Sequence, residues 1–461
     1  MAKRIVVLGG GAAGLMTAEI LGRSGHDVVV IERDVHEPPE SDDDAWDDWE
    51  RPGVNQFRQP HGLLSGGLHV LSKEIPELLD ELNAIDTVTL DIADFAPEGV
   101  DRTNLPDMTV LGLRRTTFER RLRRVTLGNE QVTVRWGTEP VALTVDKAAN
   151  SEVPVVTGVE TSDGCFAADL VIDASGRRTS VPGLLAAHGI PHEQTREPDG
   201  FTYFSRWFRV PQDIQGQPIG MVGMAPGVAV LQFPSDGRTV GVALVASMSD
   251  KPIRRLREVD TYMRFVNSVP SLAALLEHAE PLTDVIPMGS IQNRSFRLAH
   301  EGRASVAGIA CIGDSAVSTN PSLGRGISLA ARTIATFRDR LANDPSAVEL
   351  AEVVNREFDR DHLAWLTDAI HSDRRMRNIF DAARTNTTAP RPDDPRTKIA
   401  RAAALDADIW TEWAPVFCTY QSPADVVAND DLIQRAEALS DEVPPPQFLM
   451  TRDELETLLS A

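Results

Sequence analysis

The chain has 461 residues, of which 42% are hydrophobic and 25% charged, and a formal net charge of −22. That length divides into two or three domains with ample apolar core, so no metal or disulfide staple is required. The acidity repels phosphate backbones and anionic lipid surfaces, which argues against nucleic acid or a membrane surface as a partner.

Residues 4–8 form a short apolar run that ends in glycines. Residues 12–23 read as a helix with Leu15, Ala18, Ile20 and Leu21 packing inward. Residues 27–32 contain Val28-Val29-Val30-Ile31, a second buried strand, which completes a βαβ opening. The basic residues before the first strand look superficially like a leader, but the apolar run breaks at Gly9-Gly10-Gly11 and is too short for one. No stretch approaches the ~20 apolar residues that span a bilayer. A cytoplasmic protein with no stable membrane insertion is expected. Cys165, Cys311 and Cys418 are far apart and form no CxxC pair, so they read as small buried hydrophobes in a reducing compartment.

Residues 37–50 carry Asp42-Asp43-Asp44 and Asp47-Asp48 and read as a solvated polar loop. Residues 61–82 look helical, with Leu64, Leu68, Leu71 and Leu78 on one face and a break at Pro76. A helix follows at 117–125 and a strand at 132–136. Residues 155–173 read as a hairpin, turning at Ser162-Asp163-Gly164, plus a strand. The middle of the chain differs. Residues 203–210 and 228–245 alternate apolar and polar positions around an Asp236-Gly237 turn, which predicts an antiparallel sheet. The earlier pattern returns with a strand at 310–312 and a long helix at 326–341. The remainder is helical, notably 348–370, with a proline-rich linker at 390–395. There are no internal repeats. The expected divisions are 1–190 with its return segment 287–341, an inserted sheet domain at 191–286, and a helical region at 342–461.

Gly9-x-Gly11-x-x-Gly14 lies between the first strand and helix. Gly9 permits the tight turn, Gly11 lets a pyrophosphate approach the backbone, and Gly14 lets helix and strand pack closely. Ala12 and Ala13 open the helix, whose free N–H groups and positive dipole end face the phosphates. Glu32 ends the second strand, where an acid accepts hydrogen bonds from ribose hydroxyls, and Arg33 follows it. This unit suits NAD as well as FAD. The separation comes from Gly313-Asp314 at the end of a strand, followed by Asn320-Pro321-Ser322-Leu323-Gly324-Arg325-Gly326. Asp314 is placed to accept from a polyol hydroxyl. The turn through Pro321, Gly324 and Gly326 aims a helix N-terminus at an anionic ring.

Here the sequence resembles the FAD-dependent monooxygenases of the aromatic-hydroxylase (para-hydroxybenzoate-hydroxylase-like) class, in which the glycine-aspartate motif contacts the FAD ribityl chain. The implied fold class is α/β: a Rossmann-type, glutathione-reductase-like FAD-binding domain with an inserted antiparallel sheet for substrate and a helical C-terminal region. Leu113-Arg114-Arg115-Thr116-Thr117-Phe118-Glu119 resembles the family's arginine-led helix start. Arg115 then either contacts the flavin side or belongs to a surface basic cluster with Arg120, Arg121, Arg123 and Arg124. Asp173-Ala174-Ser175-Gly176-Arg177 takes the place of the central aspartate-glycine motif near FAD. It departs from the pattern by reading DASGR, which leaves the electron source open between NAD(P)H and a separate flavin reductase.

Arg51-Pro52-Gly53-Val54-Asn55-Gln56-Phe57-Arg58-Gln59-Pro60-His61, followed by Ser65-Gly66-Gly67, resembles a bacterial subgroup that includes the FAD epoxidases of polyether biosynthesis. The resemblance covers most of residues 4–340 and implies that this run, with Gln56, lines the isoalloxazine. His61 either bonds the ring or starts a helix as a structural histidine. The implied reaction inserts one oxygen atom of O2, through a flavin C4a-hydroperoxide, into an apolar alkene or aromatic small molecule of secondary metabolism. Such transfer needs no protein nucleophile and no metal. Phe204, Trp207, Phe208 and Phe233 are candidates for the substrate wall, and at most half of them are expected to touch substrate. Other classes share the FAD domain: a geranylgeranyl-reductase-type dehydrogenase or double-bond reductase, and a flavin-dependent halogenase. The halogenase reading is the weaker, because no WxWxIP segment is present and Lys73 sits in an apparently structural helix. Neither the substrate nor the oligomeric state is legible.

Overall fold

The computed structural model describes residues 1–35, 38–146 and 153–461. A five-stranded parallel sheet forms its base, in the order Ile309–Cys311, Leu170–Asp173, Arg4–Leu8, Asp27–Glu32, Val132–Trp136. The three central strands are near-continuous runs of Val, Ile and Leu because both faces of the sheet are covered there. On one face Val7 and Ile172 pack with Leu15, Met16 and Ile334 from the helices Ala12–Arg23 and Gly326–Leu341. On the other, Val6, Leu8 and Val171 pack beneath the antiparallel hairpin strands Pro140–Asp146, Val155–Thr161 and Gly164–Ala167. Each such side chain contributes about 1.5–3 kcal/mol by leaving water.

The chain runs outward from the first strand to Val132–Trp136, then returns to place Leu170–Asp173 on the first strand's other side. Leu8 is in register with both Asp173 and Ile31, and Asp173 with Cys311. The carboxyl ends of four strands therefore stop at one level around a topological switch point, where open α/β sheets bind ligands.

The inserted sheet is antiparallel and built mainly from Gly220–Ala225, Val228–Ser235, Thr239–Ser247 and Phe201–Arg209, with Ile286–Ile291 pairing the last. Its side chains alternate between two apolar layers. One layer holds Phe204, Phe208, Val230, Val242 and Leu244 against Tyr262 and Phe265 and the closing helix Arg452–Ser460. The other holds Phe201, Tyr203, Leu231, Ala243 and Met288 and faces Phe380 of the long helix Leu363–Thr385. The rest of the C-terminal region is helical, and Pro395 opens the helix Pro395–Ala402. Among the described residues no helix is long and apolar enough to cross a membrane. Cys311 and Cys418 are buried, whereas Cys165 is exposed, against expectation, on a short edge strand.

Two local expectations fail, the second only in part. The acidic segment is not a solvated loop: Asp42–Asp48 is a helix capped by Ser41, and its first-turn acids suit the positive end of the helix dipole. Asp42 pairs with Arg120 and Arg121, Asp43 pairs with Arg114, and Trp46 and Trp49 between the acids are buried. Glu37, where that loop was expected to begin, lies outside the described residues. The span 61–82 is helical with the expected break at Pro76, but not at its start. Gly62–Leu63 is a strand, Ser65–Glu74 a helix, and Pro76 starts a second helix, Pro76–Asn83, at the position where its missing N–H costs nothing.

Candidate functional site

A cavity of about 410 Å³ lies at the switch point and is lined by both distant glycine motifs, the 51–61 run and the inserted sheet. At its floor Gly9 holds φ at +98°, and a Cβ there would sit 2.7 Å from the Ser175 Cα. Gly14 does not line the cavity. A Cβ on it would meet the Gly9 carbonyl oxygen at 1.8 Å, so its role is close packing. Gly11 caps the first helix without a side-chain bond, and a Cβ there would meet nothing within 4 Å. The first-turn N–H groups of Ala12 and Ala13 thus open onto free space beside Gly11, the geometry a pyrophosphate requires. Gly313 closes the same floor, with a Cβ position 3.2 Å from the Ala13 Cβ.

Glu32 lines the cavity, but its carboxylate is already engaged. Oε2 accepts from the Gly10 N–H at 2.6 Å and Arg51 at 3.0 Å, and Oε1 accepts from the Asp34 N–H at 2.8 Å. Oε1 keeps a lone pair for a ribose hydroxyl. Arg33 is exposed at the rim.

Arg51 is the hub that sequence reasoning missed. Its side chain is 1% exposed and bonds Asp34 at 2.8 Å, Glu119 at 2.9 Å and Glu32 at 3.0 Å. Glu119 also takes Arg115 at 2.6 Å. Burial pushes the Glu119 carboxyl up, but Arg115 and Arg51 outweigh it and hold the group below its ordinary range. Arg115 is buried on the cavity wall, so the surface-cluster alternative falls. Of the neighbours in that alternative, Arg120 and Arg121 turn to Asp42, and Arg123 lies over Trp136.

Arg115 approaches His61 Nε2 at 3.5 Å, while His61 Nδ1 meets the Gln59 carbonyl at 2.8 Å. A carbonyl cannot donate, so Nδ1 carries the proton and Nε2 is the acceptor. Burial, then Arg115, pushes the His61 pKa down to about 3. His61 is a neutral imidazole of fixed tautomer on the cavity wall, and it precedes a strand, not a helix.

Asp314 faces the cavity within reach of Gln56, and burial pushes its carboxyl up, opposed by Arg177, Arg115, Arg294 and a hydrogen bond from Gln56. Pro321, Gly324 and Gly326 line the same wall, with Gly324 at φ +66°. Asn320 fixes that turn: its side chain takes the Tyr203 hydroxyl and donates to Asp373 at 2.7 Å, and Asn293 donates to the other Asp373 oxygen at 2.8 Å. Burial raises the Asp373 pKa to about 6 despite those two donors.

Asp173 is not a cavity residue. It is fully buried and accepts from the Ser175 N–H at 3.0 Å and the Thr179 hydroxyl at 2.6 Å, holding the DASGR turn in shape. Of the four aromatic candidates, Phe233 alone lines the cavity. Phe204 and Phe208 lie in the opposite apolar layer. Trp207 shares the cavity-side face but sits beyond it, edge-on to Trp46 at 5.0 Å and bonded to the Arg58 carbonyl at 2.8 Å. The rest of the apolar wall is Tyr203, Leu231, Ala243, Met288 and Ile291. Strand period gave the means to find them, since Leu231 is two residues from Phe233 and opposite Ala243.

No family model matches the chain, and no curated protein matches it. Solved structures do. PqsL, described as a probable FAD-dependent monooxygenase from Pseudomonas aeruginosa, is 16% identical with a TM-score of 0.57, over 80% of this chain and 95% of that one. CabE, an aromatic hydroxylase from angucycline biosynthesis, is 19% identical with a TM-score of 0.58, over 91% and 76%. A flavoprotein/dehydrogenase from Cytophaga hutchinsonii is 15% identical with a TM-score of 0.61, over 95% and 98%. The chain shares its fold with these proteins, and the expected α/β fold class, with an inserted antiparallel sheet and a helical C-terminal region, is the one observed.

Proposed function

We propose that this chain is an FAD-dependent monooxygenase that inserts one oxygen atom of O2 into an apolar alkene or aromatic small molecule, by epoxidation or hydroxylation. The observation that carries the reading is a single cavity lined at one end by Gly9, Gly11 and Glu32, along its length by Asp314 and Pro321, and at the far end by an apolar wall. The residues fit the cofactor: Gly11 leaves the space, and the uncapped helix start supplies donors. Gly9 to Ala13 and Glu32 would hold the adenosine diphosphate half, with Asp314 and Gln56 on the ribityl chain. His61, Arg115, Pro321 and Gly324 would surround the ring. Bound FAD supplies the electron storage and the activation of O2.

The protein's own part is binding, orientation and exclusion of water. His61 stays neutral at every working pH, so Arg115, whose charge is balanced by Glu119, is the cation beside the ring position. Leu231, Phe233, Met288 and Ile291 keep the far end dry and hold an apolar substrate against it. The electron source is either NAD(P)H or a separate flavin reductase. The test supplies the purified chain with FAD, NAD(P)H, with and without a flavin reductase, and a panel of alkenes and phenols. Substrate-dependent oxygen uptake with products heavier by one oxygen atom supports the reading; NAD(P)H-linked saturation of double bonds without oxygen uptake replaces it with a reductase.

The reductase is the second reading, favoured by the shared fold with the Cytophaga hutchinsonii flavoprotein/dehydrogenase. A halogenase reading finds less support, because Lys73 is exposed on its helix and does not line the cavity.

A further inference from the structure

The chain has 68 acidic residues against 46 Lys and Arg, so carboxylates are in excess for every cation. Arg51 and Arg115 on the cavity wall are accordingly ion-paired. Arg177 and Arg178 line the same cavity, yet neither has a carboxylate within ion-pair distance among the described residues. The same holds for Arg196 and Arg294 beside Arg177. Arg196 and Arg294 are opposed residue for residue across two antiparallel strands, an arrangement that destabilises when both are charged alike. The acceptors present are neutral: Arg177 donates to the Gln292 carbonyl at 2.9 Å, and Arg196 donates to the Gln292 side-chain oxygen at 2.7 Å.

Two carboxylates face this group. Asp173 is occupied by Ser175 and Thr179. Asp314 sits deeper, in hydrogen-bond reach of Gln56, and interacts with Arg177 and Arg294 without an ion pair to either. Against four guanidiniums these two carboxylates, neither within ion-pair distance, leave positive charge in excess. It also adjoins the substrate wall, because Gln292, whose two oxygens accept from Arg177 and Arg196, follows Ile291. Arg177 and Arg178 line the cavity and Arg178 is exposed, so this pair sits at the rim, with Arg196 and Arg294 next to Arg177 outside the lining. The phosphates of a dinucleotide have their own donors at the start of the first helix.

We propose that Arg177, Arg178 and Arg294 form an oxyanion site at the rim, which takes the carboxylate of an amphipathic substrate whose apolar body lies along Leu231, Phe233, Met288 and Ile291. This names the substrate class for the cavity and rests on the monooxygenase reading for the chemistry. Guanidinium forks match a carboxylate in geometry as well as charge. The excess of negative charge elsewhere on the chain makes an anion unwelcome anywhere but at such a site.

Isothermal calorimetry on the FAD-loaded protein tests it, with dodecanoate and phenylbutyrate, their methyl esters, and inorganic pyrophosphate as probes. The acids are expected to bind at least roughly tenfold more tightly than their esters, the ratio that one charge-assisted hydrogen bond sustains. The Arg178→Gln/Arg294→Gln variant is expected to lose that ratio while keeping its FAD affinity and melting midpoint. Equal affinity for acids and esters overturns the proposal. So does a variant that loses FAD affinity, which gives the arginines to the cofactor, and so does binding of pyrophosphate without the acids. Calorimetry with protein lacking FAD reads the same acid-to-ester ratio, so failure of the flavin reading and failure of the anion site are told apart.

Discussion

Replacing Gly11 with valine separates cofactor space from protein packing. Gly11 has φ −80° and ψ −175°, an extended conformation that valine adopts without strain. Its Cβ would meet no protein atom within 4 Å, so the fold should lose no more than about 1 kcal/mol from the poorer helix cap. The branched side chain would instead fill the space beside the uncapped N–H groups. Two hydrogen bonds from those groups to a charged pyrophosphate, at about 1.5–3 kcal/mol each, amount to about 3–6 kcal/mol. FAD affinity should fall on the order of 10²–10⁴-fold. Gly14→Ala should do the opposite. Its Cβ lands 1.8 Å from the Gly9 carbonyl oxygen, a backbone atom that cannot yield, and should cost about 1–3 kcal/mol of stability or more. Flavin fluorescence titration reads the affinity and a thermal melt reads the fold. A folded Gly11→Val protein with wild-type FAD affinity would refute the reasoning.

Asp314→Ala should weaken FAD by roughly ten- to a hundredfold through one lost charge-assisted bond, and unchanged affinity in the same titration would remove Asp314 from the ribityl chain. Arg51→Met strips the cation from buried Glu32, Asp34 and Glu119, and urea unfolding should show a loss of about 3–5 kcal/mol; a loss below about 1 kcal/mol would deny the hub its role. The His61 pKa drops from 6.5 to about 3 on folding, so between those values the unfolded chain binds the proton and the folded one does not. His61 titration therefore leaves stability unchanged above pH 6.5, and below that it disfavours the fold by up to about 1.4 kcal/mol per pH unit as the pH drops towards 3. His61→Gln should flatten the acid limb of a stability–pH profile, and an unaltered limb would contradict a buried neutral imidazole. Phe233→Ala should alter KM for a large substrate with little change in FAD affinity, whereas Phe204→Ala, in the far apolar layer, should cost about 3–5 kcal/mol of stability; the reverse pattern would invert the two faces of the sheet.

The parallel sheet was legible because its strands and helices carry their own period and their own glycines. Gly9, Gly11, Gly14, Glu32 and Asp314 could be placed from local pattern alone, since each sits at a strand end or helix start. What escaped notice depends on contacts far apart in sequence. Arg51 reads as one more arginine until Glu32, Asp34 and Glu119 arrive from three separate segments. Asp42 and Asp43 look solvated until Arg114, Arg120 and Arg121 cover them. Asp173 carries the chemistry of a cofactor ligand, but its strand end points into the sheet, and local hydroxyls take its oxygens. Of the four aromatic candidates, of which at most half were expected to touch substrate, only Phe233 lines the cavity. Phe204 and Phe208 share one face of their strand, and the cavity lies on the other, with Tyr203. Position modulo two sets Phe204 and Phe208 aside, and distance along the strand sets aside Trp207, which has the parity of Tyr203 but lies four residues further on.

The βαβ opening by itself fits NAD as well as FAD, and the assignment to flavin rests on one cavity joining Gly11 to Asp314. The direct test is a titration of the purified chain with FAD and, separately, with NAD and NADP. Saturable, stoichiometric FAD binding that perturbs the flavin spectrum, and that Gly11→Val and Asp314→Ala both weaken, is the predicted result. A chain that takes no flavin, or that holds a nicotinamide dinucleotide in the Gly9–Ala13 site with FAD unable to displace it, would contradict the account.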